Sequence, residues 1–407
     1  MRIAIALHDV VLGGDTLNAL ELGCRLRERG HDVVLFAVSR ASRSATETPL
    51  LAFAEARGIE VHLFGEPSGV RDRIRLVGQL AEFVRERRID VVHAFGHRDT
   101  YYSFCGSYGL RGVPLVVNDY AMTVTRGLPR RVPLVVGTRE VAAEARAIRR
   151  GPTYVVVPPV DEVENAPGVV DGHAFRRAHG VADTDRLIVV VSRFAVALKR
   201  EGLLATIDAV VELDDPTVRL VMVGGGETYD ELQQRSREVG ARLGREAAAL
   251  PGPMTDPRAA YEAADIVVGM GHSALRALAF AKPVVVVGER GFALPVTPQT
   301  LHHFDFHGFY GLGDGGDAAP ALAGHLRRLL GDPDLRAGLG GFGRQLILED
   351  YGLDTAAESL ESIYESALGR RCVRSWLVDA GHLAASYGPA RVRRTVRRRP
   401  ALRTVAT

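Results

Sequence analysis

The sequence predicts an α/β protein with two doubly wound parallel sheets, and three observations carry that prediction. Short apolar runs alternate with amphipathic stretches of helical period through the first part of the chain. The alternation halts at PPVDEVENAPGVVDG, rich in proline, glycine and acid, and then starts afresh, which reads as a linker between two domains. Runs such as LIVVV, residues 187–191, are apolar without interruption, as strands covered on both faces must be.

In the first half the strand-like segments are RIAIAL, HDVVLFAV, IEVHLF, IDVVHAF, VPLVVND, VPLVVGT and TYVVVPPV. Between them lie TLNALELGCRLRERG, with Leu17, Leu20 and Cys24 at helical spacing, then LLAFAEARG and RIRLVGQLAEFVRERR. In the second half RLIVVV, VRLVMVG, DIVVGM and KPVVVVG alternate with LLATIDAVVEL, TYDELQQRSREVGARL and SALRALAFA. LEDYGLDTAAESLESIYESALGR reads as a closing helix whose acidic first part suits a helix N-terminus. The expected boundaries are 1–165 and 166–348 for the two domains, 349–369 for a C-terminal helix crossing back to the first, and 370–407 for an arginine-rich tail.

Hydrophobic content of 46% and charged content of 25% over 407 residues suit two domains with substantial cores. Cys24, Cys105 and Cys372 are scattered and give neither a disulfide framework nor metal-ligand spacing, so a reducing cytoplasm is expected. MRIAIALHDV is too short an apolar run for a signal peptide, and no run approaches the roughly 20 residues of a membrane span. The net charge of +2 hides an asymmetry: residues 370–407 hold ten arginines against Asp379 alone, which leaves the body mildly acidic.

Of 51 basic residues only Lys199 and Lys282 are lysines, the arginine bias expected of a high-GC genome. VVVSRFAVALKREGLLATIDAV, residues 189–210, reads as a buried strand running into a helix, with Arg193 and Lys199 in the connection. Ligands of open α/β sheets bind outside the carboxyl ends of the strands, which is where these two cations fall. Arginine grips phosphate oxygens through a planar fork, and lysine adds a compact point charge.

Four patterns in order resemble the retaining glycosyltransferases of the GT-B fold, family 4, in an actinobacterial type. They are GGDTLNALELGCRLRERGHDVVLFA, VSRFAVALKREG, RLVMVGGGETYDEL and AAYEAADIVVGMGHSALRALAFAKPVVVVGERGF, over roughly residues 1–368. The resemblance implies two Rossmann-like domains facing a cleft, with the acceptor in the first and a nucleotide-diphosphate sugar in the second. It implies a hexosyltransferase-type enzyme that needs no metal and no cofactor beyond its co-substrate. Arg193 and Lys199 would neutralise the leaving diphosphate. Gly13, Gly14, Gly225, Met254, Gly269, Met270, Gly271, His272, Ser273 and Glu289 fall on the donor side. Asp119 is the candidate base or charge stabiliser, and His93, His97 and Tyr120 line the acceptor side.

The chain departs from the family at three points, one of them the strand end VVNDY, where many relatives carry a histidine and this chain offers Asn118, Asp119 and Tyr120. Two glutamates, the first on the donor sugar and the second on the ribose, are replaced by Val268 and Arg276. One extra residue also separates Arg193 from Lys199. Three explanations stand for the lost glutamates: a deoxysugar or thymidine-nucleotide donor with Val268 lining an apolar patch, recruitment of Glu289, or an inactive binding or scaffold partner. The histidines of LHHFDFHGFYG match no zinc signature. Gly13-Gly14-Asp15 does not supply the dinucleotide fingerprint of an oxidoreductase. VRRTVRRRP suits an anionic membrane surface, nonspecific nucleic acid or a solvated end, and no specific nucleic-acid reader is expected in the body.

Overall fold

A computed structural model of the chain describes residues 1–7, 10, 14–39, 49–125, 127–369 and 373–387. The chain divides into two compact units, Met1–Pro159 with Leu353–Thr407, and Val160–Gly352.

In chain order the first unit contains β1 (Arg2–Leu7), α1 (Gly14–Glu28), β2 (Asp32–Ser39), α2 (Pro49–Ala56), β3 (Val61–Gly65), α3 (Val70–Glu86), β4 (Val91–Phe95) and α4 (His97–Ser103). A π-helical turn, Phe104–Leu110, leads to β5 (Leu115–Asp119), β6 (Leu134–Val136), α5 (Arg139–Ile148) and β7 (Thr153–Val155). All seven strands pair in parallel, in the order β3-β2-β1-β4-β5-β6-β7. The reversal of order about β1 makes the sheet doubly wound, and both its faces are buried, as the continuous apolar runs require.

The second unit contains α6 (Gly172–Ala178), β8 (Arg186–Val191), α7 (Arg200–Leu213), β9 (Val218–Val223), α8 (Tyr229–Leu243), β10 (Ala249–Gly252), α9 (Arg258–Ala263), β11 (Ile266–Gly269) and α10 (His272–Ala279). It continues through β12 (Val284–Val287), β13 (Ala293–Pro295), α11 (Leu301–His307), α12 (Ala318–Gly331) and α13 (Pro333–Leu346). Its sheet runs β10-β9-β8-β11-β12-β13, with β13 antiparallel at the edge. The stretch expected as a linker is built into this unit. Val160 bridges Gly352, Asp161 accepts the N–H groups of Val163 (3.0 Å) and Glu164 (2.8 Å), and Asn165 is buried.

The closing helix is interrupted. A π-helical turn, Ile347–Tyr351, ends at Gly352, and α14 (Leu353–Leu368) then belongs to the first unit. Its Leu353, Ala357, Leu360, Ile363 and Tyr364 join the core under α1 and β1. Glu361 fastens its outer side, accepting from Arg29 at 2.9 and 2.8 Å and facing His31 at 2.8 Å. The expected basic tail is corrected over part of its length, because α15 (Val373–Tyr387) folds onto the first unit. The Trp376 ring stacks on Phe104 (6.1 Å, 15°), and the space it fills exists because Gly109 lacks a Cβ, which would lie 2.6 Å from the indole. Asp379 is buried and accepts the Arg131 N–H at 2.9 Å, and its charge faces the buried Arg149 guanidinium, which burial pulls down to about 10. Residues 388–407, with the remaining arginine cluster, lie outside the described residues.

The hydrogen bond from Arg29 and the contact with His31 hold the Glu361 carboxyl at about 2, below the ordinary 4.5. A depressed carboxylate stabilises the fold fully above its unfolded value and loses that contribution as pH falls through the folded one. Glu361→Gln is therefore expected to flatten the acid loss of stability between about pH 4.5 and 2, measured by urea unfolding across that range.

Candidate functional site

The carboxyl ends of β8 and β11, where the strand order of the second unit reverses, carry the densest set of expected residues. β8 ends at Val191, and Phe194 just beyond it is fully buried. Its N–H donates to the Gly225 carbonyl (2.9 Å), its carbonyl accepts from the Thr228 N–H (3.0 Å), and its ring stacks on Tyr229 (6.0 Å, 23°). That anchorage leaves the preceding residue, Arg193, exposed. The connection reaches α7 through Leu198, a non-glycine residue at φ +67°, and Lys199, the N-cap.

Lys199 is half-buried, and burial first and the Arg193 charge second lower its ammonium from 10.5 to about 8. Among the described residues neither cation pairs with a carboxylate. Two like charges, one partly desolvated, thus converge with no counter-ion among the described residues. The other lysine differs: Lys282 Nζ donates to the Glu262 carbonyl (2.8 Å) and serves the fold.

The β11–α10 turn lies beside this loop. Ser273, in the first turn of α10, donates through Oγ to the Val191 carbonyl (2.6 Å) and accepts from the Tyr261 hydroxyl (3.1 Å). Its hydroxyl proton is thereby committed to fixing the helix start against β8. Gly271 sits at φ +57° and donates its N–H to the Phe309 carbonyl (2.6 Å). Gly269 leaves room for Ser273, since a Cβ there would come 3.2 Å from Oγ. His272 is half-buried as the first helical residue. The early N–H groups of a helix lack intrahelical partners, so the start of α10 suits an anion beside Arg193.

Of the glycines after β9, Gly224 and Gly226 are packing requirements. Their added Cβ atoms would lie 1.9 Å from the Ser192 carbonyl oxygen and 2.7 Å from that of Phe194, at φ +157° and +140°. Gly225 lies against Pro253, so the loops after β9 and β10 adjoin, with half-buried Met254 next along. The Met270 side chain is buried. One expectation needs correction: Val268 is fully buried in the core with Ile188 and Leu220, so it lines no sugar-facing patch.

Glu289 is held on every side. Its carboxylate accepts from the Tyr310 hydroxyl (2.7 Å), its N–H donates to Gly311 and its carbonyl accepts from Gly313. The following residues, Arg290 (φ +59°) and Gly291 (φ +81°), point their N–H groups at the Glu201 carboxylate, with Arg290 N at 2.7 Å. Glu201 stands two residues after Lys199, so one side chain ties the start of α7 to the loop bearing Glu289. Sequence reading missed Glu201, whose only signal is an acid in the first turn of a helix. It also missed Asp256, an exposed acid in the connection between β10 and α9. Among the described residues no group of three or more His, Cys, Asp or Glu could hold a metal. His303 stacks on Phe292 (5.2 Å), and His302 bonds the Gln299 carbonyl (2.8 Å).

In the first unit, His93 is corrected from an acceptor-side residue to a core residue. It is fully buried, bonded to the Tyr364 hydroxyl (2.9 Å) beside Phe95, and burial pushes its imidazole down to about 3. His97 opens α4, and the Asp119 charge opposes the lowering that burial imposes on it. Asp119 also organises the following turn, accepting N–H groups from Thr125 (3.0 Å) and Ala121 (3.4 Å). Tyr120 packs edge-on to Phe95, and burial and then Asp15 raise its hydroxyl. Gly14 opens α1 with open space where its Cβ would be, and Gly13 lies outside the described residues.

Lysine-labelled protein carries only two such side chains, so NMR titration is expected to find Lys199 near 8 and to find its midpoint raised in Arg193→Ala, where the like charge is gone. Gly224→Ala is expected to cost about 1–3 kcal/mol of stability by overpacking, read from chemical denaturation.

The family models Glycosyltransferase Family 4 and Glycosyl transferases group 1 match residues 13–164 and 185–332. N-acetyl-alpha-D-glucosaminyl L-malate synthase of Bacillus anthracis is 18% identical over 390 residues, covering 90% of this chain and 97% of that protein. A glycosyltransferase from Rickettsia africae ESF-5 superposes with a TM-score of 0.72 at 15% identity, covering 90% of this chain and 98% of its own. Anabaena Alr3699/HepE, solved in complex with UDP and glucose, superposes at 0.70 with 18% identity, covering 90% and 100%. With both family domains matched in order on a fold of this topology, the chain is a family 4-like glycosyltransferase of the GT-B fold, an enzyme of the hexosyl-transferring class.

Proposed function

We propose that the chain moves a hexosyl group, with retention, from a nucleotide-diphosphate sugar held by the second unit to a natural product or cell-surface glycan. The observation that carries this reading is the Arg193–Lys199 pair, convergent and lacking a carboxylate partner among the described residues, beside the start of α10. Charge builds on the leaving diphosphate as the glycosidic bond breaks, and preorganised cations and N–H groups are what stabilise it. UDP in the HepE structure supports a nucleotide donor. Arg193 offers two donors to the phosphates. Lys199, lowered toward 8, regains its proton fully when an anion arrives. Glu289, fixed by Tyr310, faces the sugar as the carboxylate in place of the lost first glutamate. On the acceptor side His97 and Asp119 serve as the proton-handling pair, with Tyr120 beside them. No metal takes part in this reading. The enzyme works in the cytoplasm, with the arginines of 388–407 drawing it to anionic membrane at about 1 kcal/mol each. No helix among the described residues is long and apolar enough to cross a membrane.

Arg193→Ala and Lys199→Ala are each expected to slow transfer from the best of UDP-glucose, UDP-N-acetylglucosamine, GDP-mannose and dTDP-glucose by ~10²–10³-fold. The parent nucleotide should raise the melting temperature of the wild type and not of the variants. Failure of UDP, GDP, dTDP and ADP alike to stabilise the wild type would leave the inactive-partner reading standing.

A further inference from the structure

We propose that Asp256, oriented by Arg258 and Arg276, is the carboxylate that grips the ribose of the bound nucleotide. The inference rests on the donor reading of the Arg193–Lys199 site and adds a residue that reading does not use.

Asp256 lies in the connection between β10 and α9. That connection begins at Pro253, against Gly225 after β9, and leads into α9, whose Tyr261 bonds Ser273 and stacks on Phe280 of the α10 C-cap (5.9 Å, 11°). It therefore runs along the carboxyl rim of the sheet from the β9 loop to the helix that flanks Arg193. A nucleotide with its diphosphate at Arg193, Lys199 and the start of α10, and its base toward Gly225 and Met254, lays its pentose over this connection. Asp256 is exposed there.

The carboxylate is held still. Arg258 donates through Nε to both oxygens (3.0 Å each), through Nη2 to Oδ2 (2.7 Å), and through its backbone N–H to Oδ1 (3.1 Å). Arg258 is itself pinned by Glu164 at 2.6 Å. From the second turn of α10, Arg276 adds its positive field to the same carboxylate. The hydrogen bond from Arg258 first, with the Arg276 charge in support, holds Asp256 below the ordinary carboxylate range and so ionised. Three N–H groups of Arg258 occupy the carboxylate, so of its about four acceptor sites one stays open for a ribose hydroxyl, the usual partner of an acidic side chain at a nucleotide. The charge arrangement is thus inverted relative to the family: the helix position that would bear a ribose-binding glutamate bears Arg276, and the carboxylate stands on the facing loop.

The test is calorimetric titration of the full chain with UDP, ADP, GDP and CDP, then with the 2′-deoxy and 3′-deoxy forms of the tightest, for wild type and Asp256→Asn. The expected result is a ribonucleotide preference of ~10- to 100-fold in the wild type, the size of one hydrogen bond to a charged group. In the variant the preference collapses, with loss confined to the ribonucleotide. Equal loss for ribo and deoxy forms in Asp256→Asn would overturn the assignment, as would a wild type that binds dTDP as tightly as its best ribonucleotide. Absence of binding by any nucleotide would remove the donor reading and this one with it, whereas binding that requires Arg193 and ignores Asp256 removes this one alone.

Discussion

The backbone of Phe194 is bonded on both sides by the loop after β9, through the Gly225 carbonyl and the Thr228 N–H. Much of the second unit's chemistry depends on that clamp. It can form only because Gly224 and Gly226 bring no side chain to a gap where a Cβ would overlap carbonyl oxygens. Once Phe194 is buried, alternation along the chain turns Arg193 outward, and the rest of the connection delivers Lys199 to the start of α7. Ser273 then fastens α10 to the same strand end through the Val191 carbonyl. The connection bearing the two cations is thereby placed by hydrogen bonds between backbones and the helix start by one short serine side chain, which hold position better than long flexible side chains can.

The electrostatics follow from what is absent as much as from what is present. Several of the described arginines pair with an acid, as Arg200 does with Glu231 and Arg235 with Asp208. Such surface pairs contribute little individually. Arg193 and Lys199 break the pattern, and the cost of crowding them is visible in the lowered ammonium of Lys199. Glu201 would be the obvious neutraliser two residues on, yet its carboxylate is spent on the N–H groups of Arg290 and Gly291. The acid closest in sequence is withheld from the cations and used to set the loop that carries Glu289.

The first unit shows how a plausible motif misleads. VVHAF reads equally as a strand ending in a site histidine or as a core strand. The choice falls to Tyr364, a residue 271 positions away that bonds His93 from α14. Likewise Asp119 reads as a base from its strand-end position, while its hydrogen bonds to Thr125 and Ala121 show that it also builds the turn. The basic composition of 370–407 suggests a solvated tail, but Trp376 and Asp379 find a pocket beside Gly109 and Arg131 that no local pattern announces.

Period and punctuation in the sequence determined the two parallel sheets, the strand that ends just before Arg193 and the glycine turn before α10, because uninterrupted apolar runs can be satisfied only between covering layers. The antiparallel β13, the break at Gly352 and the folding of α15 were decided by tertiary packing, which depends on partners distant in the chain. The same division holds at the candidate site. Residue type and strand-end position marked the cations and Glu289, whereas Val268 in the core, Glu201 in its backbone nest and Asp256 between two arginines were fixed by three-dimensional neighbours. A charge's effect depends on what solvates it, and that is set by the fold and not by adjacent letters.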